Sequence, residues 1–176
     1  MLESYLKESG KDTFVTRDPG GTAISEKIRE ILKSEKSNEM FPETELLLFL
    51  AARSQMVREL IKPALDAGKV VICDRFTDST IAYQGDVEGN FLTFAAGGLN
   101  PDLTFFLEID PEVGLLRKSG QQGNLDRMEL KGLEYHKKVS ARYKQEAALN
   151  PSRIVTIDAS LSVNEIQEQI RRRIYG

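Results

Sequence analysis

The sequence predicts an α/β fold built on a parallel sheet, and three observations carry that expectation. Apolar runs of strand length alternate with longer segments of helical periodicity along the whole chain. Lys69-Val70-Val71-Ile72-Cys73 is β-rich and almost continuously apolar, as a strand buried on both faces should be. Two loop motifs, Arg17-Asp18-Pro19-Gly20-Gly21-Thr22 and Asp74-Arg75-Phe76, directly follow predicted strands, where ligands bind in open parallel sheets.

The elements follow in order. Leu2, Tyr5 and Leu6 recur at helical spacing, with Gly10 as a stop. Phe14-Val15-Thr16 reads as a strand, and Ile24, Ile28, Ile31 and Leu32 mark the apolar stripe of the next helix. A long helix opens near Pro42 and runs through Glu45 to Ala67, with a kink or split expected at Pro63 and an end at Gly68. After the strand at 69–73, a short helix covers Ser79 to Gln84, and irregular glycine-bearing chain is expected to about Asn100. Leu103 to Ile109 is a strand, and Asp110-Pro111 caps and starts a helix. Ser119 to Asn124 reads as a mobile loop and Glu129 to Leu149 as one long helix. Ile154-Val155-Thr156-Ile157 is the last strand, and Ser162-Val163-Asn164-Glu165 is a capping box for the final helix. The opening helix has no strand before it, which departs from the strand–helix order of such folds.

Bulk properties narrow the function. The 176 residues, 40% hydrophobic and 29% charged, suit one globular domain over residues 1–176. A net charge of −3 gives no footprint for duplex nucleic acid. The longest apolar run, Leu46 to Ala52, is too short to cross a membrane. The first residues lack the regions of a secretory signal, and the single Cys73 excludes an internal disulfide, so a reducing cytoplasm is expected. The single His136 argues against a His-based zinc site or a Ser-His-Asp triad; a structural or exposed role is expected for it, and a small buried core role for Cys73.

Three sets of residues could carry chemistry. Gly20 and Gly21 permit close backbone approach to a ligand, or simply form a turn. Arg75, at the end of a strand, could fork onto phosphate oxygens or pair within the protein. Phe49 and Arg53, four apart, share a helix face that could stack on a base and bond its carbonyl edge, or be a core ring beside a surface cation. Arg29, a lone arginine on an amphipathic helix, could likewise meet a ligand or simply be solvated.

The combination of Thr16-Arg17-Asp18-Pro19-Gly20-Gly21-Thr22, Glu45-Leu46-Leu47-Leu48-Phe49 with Ala52-Arg53, Ile61-Lys62-Pro63-Ala64-Leu65, Asp74-Arg75-Phe76 with Asp78-Ser79-Thr80-Ile81-Ala82-Tyr83-Gln84-Gly85, Gly97-Gly98-Leu99-Asn100-Pro101-Asp102-Leu103-Thr104 and Leu125-Asp126-Arg127 resembles bacterial thymidylate kinases, in order and spacing, to Asp158-Ala159-Ser160. The resemblance implies a P-loop kinase-like three-layer fold and transfer of the γ-phosphoryl of ATP to dTMP, with Mg2+ accompanying ATP. It implies that Phe49 stacks on thymine and Arg53 bonds a thymine carbonyl. Arg29 and Arg75 would hold the 5′-phosphate of dTMP, and Asp18 and Asp74 would lie beside the phosphates and the magnesium shell; Arg75, Asp74 and Asp18 would thus be the catalytic set. Ser79, Thr80 and Gln84 would line base and sugar, and Tyr83 would press where a ribose 2′-hydroxyl would sit. Residues 117–128, including Arg117 and Arg127, would form a lid over ATP, and a homodimer through helix packing is implied.

Three departures from the pattern stand out. No Gly-x-x-x-x-Gly-Lys-Ser/Thr loop occurs in the chain, nor the strand that precedes it in the family. The stretch between Gly85 and Gly97 is shorter, by about a helix. Gln121 and Gln122 stand where the lid usually offers an arginine. The family's parallel order, 2-3-1-4-5, then leaves the strands at Val71 and Phe106 flanking the central position, roughly 10 Å apart if it stays open. Three functions are consistent with these facts: a fragment of a thymidylate kinase, inactive alone; a catalytically dead relative that binds dTMP; or another nucleoside monophosphate kinase.

Overall fold

The computed structural model describes residues 1–85, 87–120 and 126–175. The elements begin with α1 (Leu2–Glu8), β1 (Thr13–Arg17), α2 (Ala23–Lys33) and α3 (Pro42–Met56). Then come α4 (Lys62–Asp66), β2 (Val70–Asp74), α5 (Thr77–Gln84), α6 (Gly89–Ala95) and β3 (Thr104–Glu108). The chain continues through α7 (Pro111–Ser119), α8 (Leu133–Leu149), β4 (Ile154–Asp158) and α9 (Val163–Tyr175). No helix among the described residues is long and apolar enough to cross a membrane.

Local chemistry sets most boundaries as the sequence indicates. Thr22 caps α2 by accepting from the Ser25 N–H at 3.0 Å, and Asp110 caps α7 by accepting from the Glu112 N–H at 2.8 Å. Pro63 has no N–H and its ring crowds the carbonyl four residues back, so a regular α ladder cannot run through it. The long helix accordingly splits, and Val57–Ile61 takes π-helical spacing between α3 and α4. Gly68, at φ +73°, closes that unit. The capping box of α9 is formed both ways: the Ser162 N–H donates to Glu165 and the Glu165 N–H to Ser162 Oγ. Ser162→Ala should therefore lower the stability read by thermal or urea denaturation by about 1 kcal/mol.

Two expectations about helices need correction. Residues 85–100 are not wholly irregular, because α6 forms there. Its glycine-rich flanks hide it in sequence, and it draws its stability from packing: Leu92 and Ala95 are buried in one cluster with Leu50 of α3, against Leu46, Ile81 and Val87. The helix expected from Glu129 is also interrupted. Glu129–Lys131 is a 3-10 turn, and Gly132 at φ +82° separates it from α8.

The strands pair in two parallel couples. Thr13 to Arg17 of β1 lie opposite Val70 to Asp74 of β2, and Thr104 to Glu108 of β3 opposite Ile154 to Asp158 of β4. No ladder joins β2 to β3 among the described residues. The expectation that β2 is buried on both faces is not met: none of its residues is buried, and Val70 is 38% exposed. None of β3 is buried either, whereas Ile154 and Ile157 of β4 are. One side of β2 does pack, since Val71 and Cys73 rest with Leu99 on the buried cluster of Met56, Val57 and Ile61. Cys73 is thus half-buried rather than interior, and burial pushes its thiol up to about 12, so it stays protonated.

The two couples are tied through α5. The Asp78 carboxylate accepts from Thr104 Oγ1 at 2.8 Å and from both terminal nitrogens of Arg153 at 2.8 Å. Tyr143 of α8 stacks on Phe106 of β3 at 4.9 Å and donates to Ser79 Oγ of α5 at 2.7 Å.

Candidate functional site

A cavity of about 280 Å³ opens at the carboxyl ends of β1 and β2. The backbone brings the two loops together there, because the Asp18 N–H donates to the Asp74 carbonyl at 2.9 Å. α2, α3 and α5 form its walls, and the chain around Asp126 and Glu129 and the start of α8 close it. Its lining contains the residues expected to bind the acceptor nucleotide, Arg29, Phe49, Arg53, Ser79, Thr80, Tyr83 and Gln84, and with them the expected catalytic set of Asp18, Asp74 and Arg75.

The first loop resolves the choice left open for its glycines. Gly20 and Gly21 stand at φ +143° and +86°, and a Cβ on Gly21 would come 2.5 Å from Thr16 Oγ1. The Gly21 N–H is taken by Glu26 Oε1 at 2.7 Å, and Arg17 holds the same carboxylate at 3.0 Å. That backbone donor therefore serves the turn. The loop's contribution to the cavity is Asp18, and the Pro19 carbonyl fixes Arg29 by accepting from Nη1 at 2.7 Å.

Arg53 sits at the floor, 1% exposed. Its Nε donates to Asp18 Oδ2 at 2.6 Å, and its Nη2 donates to Thr80 Oγ1 at 2.7 Å and the Phe76 carbonyl at 3.1 Å. Burial pushes the Asp18 carboxyl up, against the opposing pull of Arg53. Three buried atoms of this cavity have no hydrogen-bond partner: Asp18 Oδ1, Arg53 Nη1 and His136 Nε2. Unsatisfied buried polar atoms cost stability, so their convergence here points to a polar ligand. Phe49, one turn before Arg53 on α3, is half-buried in the same wall.

The cations divide into two classes. Lys33 pairs with Asp126 at 2.9 Å, Lys118 with Glu129 at 3.4 Å and Arg53 with Asp18. Among the described residues no carboxylate pairs with Arg29 or Arg75. Arg75 adopts φ +69°, the only positive φ at a non-glycine among the described residues, and its guanidinium lies 4.7 Å over the Tyr83 ring. Two arginines with no ion pair among the described residues thus line a polar cavity, and such groups suit an anion.

Other expected site residues are engaged within the protein. Ser79 accepts from Tyr143, Thr80 from Arg53, and Gln84 Nε2 donates to Glu45 at 3.1 Å. Arg117 lies outside the cavity and donates to the Ala159 carbonyl at 2.9 Å. Arg127 is buried, its Nη2 2.5 Å from Glu45 Oε2 and its Nε 2.8 Å from the Leu32 carbonyl. Gln121 and Gln122 lie outside the described residues, as does Leu125. Sequence reasoning left His136 as structural or exposed, yet it lines the cavity, and it gave no role to Glu45, Lys33, Lys118, Asp126 or Tyr143. For Glu45 a signal existed: Glu45, Phe49 and Arg53 form an i, i+4, i+8 stripe.

A thymidylate kinase family model matches residues 1–170. The chain belongs to the thymidylate kinase family. A Pseudomonas fluorescens (strain Pf0-1) protein named thymidylate kinase is 44% identical over 96% of this chain and 83% of its own length. One of the same name from Symbiobacterium thermophilum is 44% identical over 99% of this chain and 84% of its own length, and one from Lactobacillus helveticus is 46% identical over 89% and 78%. Membership makes the chain a nucleotide kinase by family and sets aside a different nucleoside monophosphate kinase.

Proposed function

We propose that this chain carries the acceptor half of a thymidylate kinase site, holding dTMP for attack on the γ-phosphoryl of ATP. The observation that supports it most is the make-up of the cavity: a ring, a floor arginine with an unused Nη1, and two arginines that form no ion pair among the described residues. Phe49 stacks on the pyrimidine, and Arg53 Nη1 donates to a carbonyl of it. Arg29 and Arg75 hold the 5′-phosphate, whose oxygen attacks the γ-phosphorus as the bond to ADP breaks. Phosphoryl transfer asks mostly for positioning and charge neutralisation, and these arginines supply both on the acceptor side. Tyr83, covered on one face by Arg75, stands against the sugar.

Magnesium fits as an ion brought with the ATP phosphates. Among the described residues no three Asp, Glu, His or Cys groups converge, but Asp74 is exposed on the wall and Asp18 keeps a buried oxygen without a partner. These two carboxylates would hold the ion's water shell, and the ion would neutralise charge on the phosphates.

Phe49→Ala should weaken dTMP binding by about 1–3 kcal/mol, roughly 5- to 150-fold in Kd, without changing global stability as much. Calorimetric titration reads this directly. Equal Kd values for wild type and Phe49→Ala would remove the stacking assignment.

A second reading, binding of dTMP without transfer, draws on specific observations. The 176 residues contain no Gly-x-x-x-x-Gly-Lys-Ser/Thr string. The Gly21 N–H is taken by Glu26, and Arg117 and Arg127 are bonded within the protein. We also propose that the facing edges of β2 and β3 are where a fifth parallel strand belongs. Their apolar residues are half-buried or, at Val70 and Leu107, exposed, which one more pleated strand between them would remedy. We assign the lid to residues 117–128, of which 121–125 lie outside the described residues, and residues 1–176 to one domain; exposed Ile24 and Ile31 on α2 with Leu47 on α3 suit helix packing in a homodimer.

A further inference from the structure

Glu45 is buried on the same helical stripe as Phe49 and Arg53, but it takes no part in the binding scheme above. Its side chain is 6% exposed, and its two oxygens serve three partners. Arg127 Nη2 lies 2.5 Å from Oε2, and Lys131 Nζ lies 2.9 Å from Oε2 and 3.0 Å from Oε1. Gln84 Nε2 donates to Oε1 at 3.1 Å. Burial raises the pKa of this carboxyl, but these donors more than offset it and the net effect is downward, so the group is ionised near neutrality.

Two consequences follow from an ionised carboxylate in that place. An ionised carboxylate only accepts, so Gln84 must present its NH2 group to it. The amide carbonyl is then not spent on Glu45, and Gln84 is one of the residues that line the cavity. A carbonyl there accepts from the imide N–H of thymine and meets only a lone pair on the corresponding nitrogen of cytosine. The other consequence concerns residues 126–131. They are stapled across the end of α2 and the start of α3 by Arg127 N–H to the Lys33 carbonyl at 3.3 Å, by Arg127 Nε to the Leu32 carbonyl and by Lys33 to Asp126. Arg127 and Lys131 both converge on Glu45, so this carboxylate joins the contacts that hold the strap along one side of the cavity.

We propose that Glu45 is a positioning residue that sets pyrimidine specificity by fixing the Gln84 amide, and that it does so while clasping the 126–131 strap over the same pocket. The proposal rests on the reading of the cavity as the dTMP site, and its two halves are read separately.

The first readout needs no ligand. In the wild type, backbone amides of 126–131 should exchange with deuterium slowly. Glu45→Gln, which keeps shape but loses charge, should speed them at least tenfold while the middle of α8 is unchanged. The second readout is the ratio of Kd for dCMP to Kd for dTMP. Glu45→Gln allows either amide orientation at Gln84, and the ratio should fall at least fivefold. Gln84→Met should lower the ratio equally but leave strap exchange as in the wild type, and it carries the specificity test even if Glu45→Gln fails to fold. Lys131→Met, whose site is 27% exposed, should speed strap exchange and leave the ratio intact. An unchanged ratio in Gln84→Met, or a ratio in Lys131→Met as low as in Glu45→Gln, overturns the specificity route. Unchanged strap exchange in both Glu45→Gln and Lys131→Met overturns the clasp. If the wild type binds neither nucleotide, the acceptor reading itself fails, and the exchange measurements still decide the clasp.

Discussion

Arg53→Ala should cost the protein its acceptor floor and a large part of its stability together. Asp18 is 3% exposed, and among the described residues Arg53 is its only ion-pair partner, at 2.6 Å. Removing one member of a buried pair leaves the other charged and uncompensated, typically at about 3–5 kcal/mol. A domain of this size has about 5–15 kcal/mol in total. The pH dependence distinguishes this cause from simple loss of volume. Without Arg53, only the weaker pull of Arg75 and Arg29 opposes the burial that pushes the Asp18 carboxyl above its ordinary 3.8. A carboxyl whose folded pKa is raised binds its proton more tightly in the folded state, so stability falls as pH rises from the unfolded value through the folded one. Urea denaturation should therefore show a smaller deficit for Arg53→Ala at pH 5 than at pH 7.5. An equal deficit at both would show that packing, not the orphaned carboxylate, is responsible.

The other large expected effect is on turnover. The 176-residue polypeptide should bind dTMP yet convert it to dTDP slower by several orders of magnitude than a version carrying a strand and Gly-x-x-x-x-Gly-Lys-Ser/Thr segment of a relative at its start. Such a loop supplies backbone N–H groups and a lysine to the β- and γ-phosphates, and removing single donors of this kind already costs about 10²–10³ in rate. The added strand should also raise the denaturation midpoint if it pairs with β2 and β3, which no ladder joins among the described residues. In the extended version Arg75→Ala should abolish transfer. Coupled assay of ADP release measures both, and brisk conversion by the 176-residue polypeptide alone would contradict the account.

The legible parts of the structure were those decided locally. Asp110 and Ser162 announce helix starts through their own hydrogen bonds, and Pro63 must disturb a helix wherever it lies in one. The four strands were legible because short apolar runs between turn residues have few alternatives. α6 was not, since a seven-residue helix is marginal alone and depends on Leu50 and Leu46 to hold it. Burial of β2 was overestimated because composition reports what a strand can bury, while neighbouring strands decide what it does bury.

The cavity's membership was legible because its residues cluster in a few loop and helix motifs. Their partners were not. Nothing in the spacing of Arg127 or Gln84 shows that both turn to Glu45, because that contact joins residues 82 and 39 positions apart. His136 was passed over because a lone histidine among charged neighbours on a helix resembles a solvated one. Only the packing of α8 against α5 brings its ring to the cavity.

Titration of the folded wild-type chain with dTMP, and separately with ATP, tests the central claim most directly. The account predicts saturable one-to-one binding of dTMP and much weaker binding of ATP, because Phe49, Arg53, Arg29 and Arg75 share one cavity while Arg117 and Arg127 are bonded elsewhere. Tighter binding of ATP than of dTMP, or no saturable binding of dTMP, would contradict it.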